Sequence, residues 1–442
     1  MSGAARIAGF AASILAGLQS ASQMFAWSFA FAPALGPALR LGGTSLYWPW
    51  SIILWRQEYA GLYEGPFKLA MASFLMSVAG LSLVTMVFPA SGSVRRVRGW
   101  GDLEDAARAG LRDGAGCILG EMNGRLLSTR DLRPTLVTGG TRAGKGRGHV
   151  IPTLLSWTDS VLVHDPKGEL WRVTAGWRAR FSHSLAFNPR DASSARFNPL
   201  AEIRPGPQEL AQVQRLVAIL ADPGGVRDDE AIWDKAASEI LEAVILHVLH
   251  TAEDDAKTLL TVRSLIADLD GAADVMVRTL HRSGPDGAPE VHPFIATAVK
   301  GYAAMHDRFR TSVQGTARSY LKWLAGEDLE RNLSASDFTL GDLMCADHPV
   351  SLYVQVTPAD AAALKPLVRL FFYAAAQALT AHETTDDVGR PKRRKLLMLM
   401  DEFPLLGRVA FFEKSLRLMS GYGIKTMFVA QSLNDIVETY RP

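Results

Sequence analysis

Two long stretches near the start of the chain carry no charge. Positions 7–39 are uncharged, and so are 69–94, whose core at 69–88 is rich in Leu, Val, Met and Phe. Each exceeds the roughly 20 residues that a helix needs to cross a bilayer. The segment between them concentrates Trp48, Trp50, Trp55, Tyr59 and Tyr63, and such amphipathic rings favour the headgroup zone. Arg6 precedes the first stretch; Arg95, Arg96 and Arg98 follow the second. The positive-inside bias then predicts two transmembrane helices, both chain ends in the cytoplasm and the aromatic loop outside. Three readings compete: a cleaved signal peptide, a poorly inserting first stretch rich in Ala, Ser and Pro, and two core helices of a soluble domain.

Beyond position 100 the pattern changes. Short apolar runs of strand length recur at Thr135–Thr138, Ser160–His164, 184–187, 350–356, Leu396–Met400 and 425–430. Leu396–Met400 is apolar throughout, as a buried strand is. From 188 to 349 strand signals are few. There Ile232, Ala236, Ile240, Ala243, Val244 and Val248 recur at helical spacing within an expected helix over 230–251. Further helices are expected over 208–221, 258–268 and 294–324. The predicted class is α/β, a strand-and-helix sheet interrupted by a long all-α insertion.

Composition changes this picture little. The 442 residues suggest two or three units rather than one small core. A net charge of +2 gives no global nucleic-acid signal, so any DNA contact must be local. The two cysteines, Cys117 and Cys345, have neither metal-ligand spacing nor a disulfide framework.

The candidate chemistry is more specific. Gly139-Gly140-Thr141-Arg142-Ala143-Gly144-Lys145 fits G-x-x-x-x-G-K, placed after a strand-like run and before a segment that can open a helix. Glycines let backbone N–H groups turn inward around phosphates, and a helix N-terminus adds positive potential. Lys145 would reach the β- and γ-phosphates of ATP. Gly146 stands where Ser or Thr usually offers magnesium a hydroxyl, which shifts the Mg2+ burden to water and a distant acid. Leu396–Met400 ends in Asp401-Glu402. Paired acids at the end of a buried strand are costly unless they face a site. Asp401 would hold magnesium through water, and Glu402 would orient and deprotonate the attacking water. Gln431, ending the run at 425–430, is placed to sense the γ-phosphate. Asp165-Pro166-Lys167-Gly168-Glu169 after Ser160–His164 suits the ligand edge of an open α/β sheet; an ordinary strand-to-helix loop is the other reading.

With these residues in order, the chain resembles the TraG/TraD-type coupling proteins of type IV secretion and conjugation. The resemblance rests on Thr141-Arg142-Ala143-Gly144-Lys145-Gly146, His164-Asp165-Pro166-Lys167-Gly168-Glu169, Phe197-Asn198-Pro199-Leu200, Trp233-Asp234, Asp401-Glu402-Phe403 and Gln431-Ser432, and runs from about Arg98 onward. It implies a RecA-like P-loop NTPase sheet with an inserted all-α domain behind two transmembrane helices. The expected division is a 1–94 anchor, 95–207 and 346–442 as two parts of the motor, and 208–345 as the all-α insertion. Because such motors continue beyond the Gln431 strand, the second part is expected to be C-terminally incomplete at Pro442. The resemblance also implies a homo-hexameric ATPase at the bacterial inner membrane, with its motor in the cytoplasm at the mouth of a secretion channel. It would engage relaxase-bound single-stranded DNA with ATP and Mg2+. The implied nucleotide-binding positions are Gly139, Thr141, Arg142, Ala143, Gly144, Lys145, Gly146 and Arg147; the catalytic set is Lys145, Glu402, Gln431 and, as trans-acting arginine, Arg417. A surface helix arginine is the plainer reading of Arg417.

Two basic segments have double readings. Residues 300–322 interleave Lys300, Arg308, Arg310, Arg318 and Lys322 with Tyr302, Phe309 and Tyr320, followed by Trp323. Single-strand binding wants such a mixture, but a solvated face over a helical core gives it too, and more often. Lys392-Arg393-Arg394-Lys395 reads mainly as a charged loop flanking a hydrophobic strand. The competing functions are a non-hydrolysing docking receptor for secretion substrates, a protein-only substrate receptor, and a duplex DNA pump of the FtsK type.

Overall fold

The computed structural model describes residues 3–41, 44–87, 101–222, 232–284 and 286–440. The arginines Arg95, Arg96 and Arg98, the end of the second uncharged stretch, and the expected helix start at Glu230 lie outside the described residues. The chain divides into two compact units, Met1–Trp100 and Gly101–Pro442.

The first unit runs α1 (Gly3–Ser28), β1 (Leu39–Leu41), β2 (Thr44–Leu46), α2 (Ser51–Tyr59) and α3 (Glu64–Val87). Helices α1 and α3 pack along each other. Their close approach is at Gly17, where an added Cβ would stand 2.7 Å from Val78 Cγ2 and 2.9 Å from Phe74 Cδ2. Nearby, the Ser20 and Ser73 hydroxyls meet at 2.6 Å. Small residues are what lets helix backbones come this near. The aromatic segment closes one end: Trp55 stacks on Phe25 at 5.3 Å and donates its indole N–H to Leu35 O at 3.0 Å. Among the described residues one helix is long and apolar enough to cross a membrane, α3 over Glu64–Ser82, with mean hydropathy 1.2 and 6% of that window buried. The expectation of two spans therefore meets a single candidate. Helix α1 has the length, but polar side chains occupy its C-terminal half: Gln19 Nε2 donates to Tyr47 O at 3.0 Å and Ser22 Oγ to Pro49 O at 3.0 Å.

The second unit opens with α4 (Leu103–Arg108) and a hairpin of β3 (Cys117–Met122) and β4 (Arg125–Thr129). Then come β5 (Thr135–Thr138), α5 (Ile151–Ser156), β6 (Ser160–His164), α6 (Glu169–Arg178) and β7 (His183–Phe187). A helical segment follows: α7 (Glu209–Ala221), α8 (Ile232–Thr251), α9 (Leu259–Ala267), α10 (Leu269–Met276), the short hairpin β8 (Arg282–Ser283) and β9 (Pro289–Glu290), α11 (Pro293–Ala303), α12 (Asp307–Tyr320), α13 (Glu327–Asn332) and α14 (Asp342–Cys345). The chain then returns through β10 (Val350–Val354), α15 (Ala361–Thr380), β11 (Leu396–Met400), α16 (Ala410–Met419), β12 (Ile424–Ala430) and α17 (Leu433–Tyr440). The single helix expected over 294–324 is two, because His306 adopts an extended backbone (φ −63°, ψ 147°) and restarts the helix at Asp307.

Six of these strands form one sheet, ordered β5-β12-β11-β6-β10-β7 and parallel throughout. Parallel neighbours need helical crossovers, which cover both faces. Every residue of β6, β10, β11 and β12 is buried. Side chains alternate between two cores, as strand geometry requires. Leu396, Met398 and Met400 of β11 join the core built by the helical segment and α15, whereas Leu397 and Leu399 join the one shared with α5 and α6. Arg178, wholly buried, ties the second layer to the sheet. It donates to Ser351 Oγ at 2.7 Å, Leu154 O at 2.8 Å, Trp157 O at 2.6 Å and Asp159 O at 2.6 Å. Because all six strands run the same way, their C-terminal ends share one edge, where open α/β sheets bind ligands.

Candidate nucleotide site

Four neighbouring strands deliver the candidate residues to that edge. Strand β5 ends in the glycine loop, β12 in Gln431, β11 in Asp401-Glu402, and β6 in the turn Asp165–Gly168. The loop enters a π-helical turn, Gly146–Val150, and then α5. Gly144 takes φ +86°, a left-handed conformation that glycine adopts without strain. Arg142 takes φ +63° despite its side chain. Gly139 admits Lys145 across the loop, since an added Cβ would stand 3.4 Å from Lys145 Cγ. The Lys145 ammonium donates to the carbonyl oxygens of Gly139 and Gly140, the latter at 3.2 Å. Thr141, Arg142, Ala143, Gly144, Gly146 and Arg147 are exposed around it.

The acids sit at the neighbouring strand ends. Asp401 is held through its backbone: His164 Nδ1 donates to its carbonyl oxygen at 2.7 Å, and its own N–H donates to His164 O at 3.2 Å. Burial keeps His164 neutral, pushing it down to about 4. Burial, and then the charge of Glu402, push the Asp401 carboxyl up to about 6. An acid in that condition is relieved by a cation. Glu402 adopts φ +53°, rare for a side-chain-bearing residue and often found at functional sites. Its Oε1 accepts from Lys167 Nζ at 3.3 Å and Gln431 Nε2 at 3.2 Å, and its Oε2 from Gln431 Nε2 at 3.1 Å. Gln431 Oε1 in turn accepts from Thr141 Oγ1 at 3.3 Å.

The structure thus brings Lys145, Thr141, Gln431, Asp401 and Glu402 to one edge. It adds Lys167, which the residue pattern had placed at the ligand edge without a role. Asp165 proves to be the anchor of that turn. It is 1% exposed and accepts from the Trp171 N–H at 2.8 Å, so it holds the start of α6. Arg417 does not join them. It is exposed on the last turn of α16, which leads into the N-terminal end of β12, whereas Gln431 follows the C-terminal end. At about 3.3 Å per strand residue the two lie on the order of 20 Å apart.

Other motif residues serve packing. Phe197 stacks on Phe338 at 5.6 Å, and Asn198 Nδ2 donates to Lys257 O at 2.8 Å. Asp234 accepts from the Tyr320 hydroxyl at 3.0 Å. In the basic stretch over α11 and α12, three rings and two of the five cations are committed internally, while Lys300, Arg308 and Lys322 are exposed. Tyr302, Tyr320 and Trp323 are buried. Arg310 pairs with Asp307 and Asp270, and Arg318 donates to the Ile266 and Ala267 carbonyls at the end of α9. In the basic run, Lys392 donates to three carbonyls, Arg393 pairs with Asp347, and Arg394 donates to the Asp347 carbonyl.

The donor set suits a phosphate chain with magnesium. Among the described residues no group of three or more His, Cys, Asp or Glu could hold a metal ion. Magnesium beside nucleotide needs only one or two carboxylates, because phosphates and water complete its shell.

The family model for type IV secretory system conjugative DNA transfer matches residues 100–442. A conjugal transfer protein TraG of Escherichia coli is 34% identical over 467 residues, spanning 96% of this chain and 72% of that protein. Protein VirD4 of Rhizobium radiobacter is 28% identical over 408 residues, spanning 86% and 56%. Among solved structures, the plasmid coupling protein TrwB in complex with ADP and Mg2+ superimposes with a TM-score of 0.55, covering 77% of this chain and 73% of that one at 16% identity. TrwB with the ATP analogue ADPNP gives 0.56 at the same identity and coverage. At that identity the likeness concerns the fold, an α/β architecture around the parallel six-stranded sheet.

Proposed function

Because the chain belongs to the type IV secretory system conjugative DNA transfer family, we propose that it is an inner-membrane ATPase that hands relaxase-bound single-stranded DNA to a secretion channel and drives its passage by hydrolysis. The observation that carries this reading is the meeting of Lys145, Gln431, Asp401 and Glu402 at the C-terminal edge of one parallel sheet. The exposed loop 139–147 receives the phosphates on its backbone, with Lys145 toward the terminal ones. Asp401 is the residue to hold magnesium through water. When bound, the ion neutralises charge on the phosphates. Glu402 orients a water and takes its proton as the water oxygen bonds to the γ-phosphorus, the bridging Pγ–O bond breaks and ADP leaves. The motor acts as a homo-hexamer, with Arg417 offered to a neighbouring subunit. The α3 span, together with α1 as a second and weaker one, anchors it, with the motor in the cytoplasm. The helices α7 to α14 form the substrate-facing part.

The test is ATP turnover by the full chain in detergent, with and without single-stranded DNA. Wild type is expected to be DNA-stimulated, and Lys145→Ala to lose at least about 100-fold of that turnover, the scale of removing a charge-stabilising donor. Turnover indifferent to DNA, with no strand binding at low salt, would sink the DNA pump. ATP binding without turnover would point instead to a docking receptor, for which the missing hydroxyl at Gly146 is the motivating observation.

A further inference from the structure

One chain of side-chain contacts crosses four of the six strand ends along this edge. Thr141 from β5, Gln431 from β12, Glu402 from β11 and Lys167 from β6 are linked by contacts of 3.1 to 3.3 Å, one residue per neighbouring strand. Its two ends differ. Thr141 and Gln431 belong to the phosphate loop and its neighbour. Lys167 belongs to a turn built independently of them: the buried Asp165 carboxylate holds the first amides of α6, and Gly168 at φ +63° turns the chain outward. That turn sets Lys167 over Glu402 with its own side chain 57% exposed, against 18% for Glu402.

We infer that Lys167 is a positioning residue that restrains the Glu402 carboxylate and remains its partner once the substrate γ-phosphate draws Gln431 away. A proton acceptor must aim a free lone pair at the attacking water. Here an ammonium occupies one carboxylate oxygen and an amide bridges both, so three donor contacts fall on a group with about four acceptor positions. A Gln431 amide turned toward a phosphate oxygen loses its two contacts to Glu402 together with the link to Thr141. Lys167 alone then holds the acid. An exposed pair of this kind biases an equilibrium by no more than about fivefold, so the restraint is a light one, which the acid escapes in a fraction of the nucleotide-bound molecules.

This inference rests on the hydrolytic reading of the site, and the experiment separates the two. Full chain in detergent is assayed for ATP turnover with and without single-stranded DNA. Lys167→Ala should raise ATP turnover roughly three- to fivefold with and without DNA and leave the KM for ATP and the stimulation ratio unchanged. Lys167→Arg, which keeps the charge and the donors, should restore wild-type behaviour. DNA-free turnover that falls or does not move in Lys167→Ala, or a KM that rises with it, overturns the restraint. If wild type and Lys145→Ala hydrolyse alike, the hydrolytic reading itself fails. The pair is then read without turnover, by acylating surface amines and following Lys167 by mass spectrometry. Glu402→Gln should speed Lys167 labelling severalfold, in the absence and in the presence of ADPNP. Unchanged labelling in both removes Lys167 as the partner of Glu402.

Discussion

In the sequence the C-terminal edge of the sheet reads as a binding surface through a glycine loop and paired acids, whereas the interleaved arginines, lysines and aromatic rings of the helical segment between β7 and β10 suit a binding surface but read more often as a solvated face over a helical core. Their structures diverge. At the sheet edge, polar side chains from four strands converge on one another over an exposed loop. In the helical segment Tyr302, Tyr320 and Trp323 are buried, Arg310 and Arg318 hold helix ends and acids of the same chain, and the exposed Lys300, Arg308 and Lys322 converge on nothing. A cluster of chemically suitable residue types is therefore weak evidence for a site. Convergence of residues from separate elements, at a cost in strain or burial, is strong evidence. Glu402 at φ +53° and Asp401 pushed up to about 6 show that cost, and nothing comparable marks the arginines of α12.

The largest test of this contrast is Glu402→Gln. The substitution keeps the size and an acceptor for Lys167 but removes the proton acceptor. Turnover is expected to fall by about 100-fold or more, the usual scale for a general base, with fluorescent nucleotide still bound. The thermal midpoint should not drop, because a negative charge beside the desolvated Asp401 has gone. Loss of nucleotide binding together with a lowered midpoint would mean that Glu402 supports the fold, and the two regions would differ less than their geometry implies.

How much of this was legible beforehand follows from which physical signals are local. Leu396–Met400 and Ser160–His164 match their expected bounds because a strand buried on both faces writes itself as an unbroken apolar run. The loop and the acids were legible for the related reason that glycine at +86° and charges at a buried strand end are costly elsewhere. The link from Lys167 to Glu402 spans positions 235 apart and depends on strand order, which no local pattern encodes. Conversely, Lys300 to Lys322 read more often as a solvated face over a helical core, and the partners of Arg310 and Arg318, Asp270, Ile266 and Ala267, are distant in sequence and visible only in the fold. The β3–β4 hairpin went unseen because its burial alternates irregularly across a bulge between Ile118 and Gly120.

Acid should separate the two regions by a smaller amount. In the helical segment His247 Nδ1 and His281 Nε2 lie 2.9 Å apart, and His281 is ringed by His250 and His292, with Glu209, Arg282 and Glu290 around them. Burial first, then the neighbouring histidines, push His281 down to about 4, and burial also lowers His247. The unfolded chain titrates near 6.5, so it binds more protons between these values. The stability these rings contribute is present above about pH 6.5 and lost as pH falls toward 4. At the sheet edge the signs oppose. Asp401, raised to about 6, favours the folded state as pH falls below 6, while His164, lowered to about 4, disfavours it. Within the helical segment Glu242 of α8, pushed up to about 7 by burial, opposes the histidines, so their share is read as a difference between two proteins. Between pH 7 and 5 the thermal midpoint of His281→Leu should fall less, or rise more, than that of wild type. An equal slope in both proteins would place the sensitivity elsewhere.

The smallest effect tests the contrast most directly. Arg318 donates to Ile266 O at 3.3 Å and Ala267 O at 2.7 Å, satisfying carbonyls that α9 leaves open at its end. If that is its role, Arg318→Ala should lower stability by about 1 kcal/mol, the scale of a helix-end hydrogen bond. Single-strand affinity should change less than about twofold, with the salt dependence of binding intact. A phosphate contact predicts the reverse: unaltered stability, weaker binding at every sequence, and a slope of log affinity against log salt reduced by about 0.7, the value for one phosphate on a single strand. Denaturant unfolding and a salt titration of strand binding, run on the same protein, separate the outcomes. A reduced slope would make α12 part of the DNA path despite its internal contacts, and convergence of side chains would then be sufficient, but not necessary, for recognising a site in this fold.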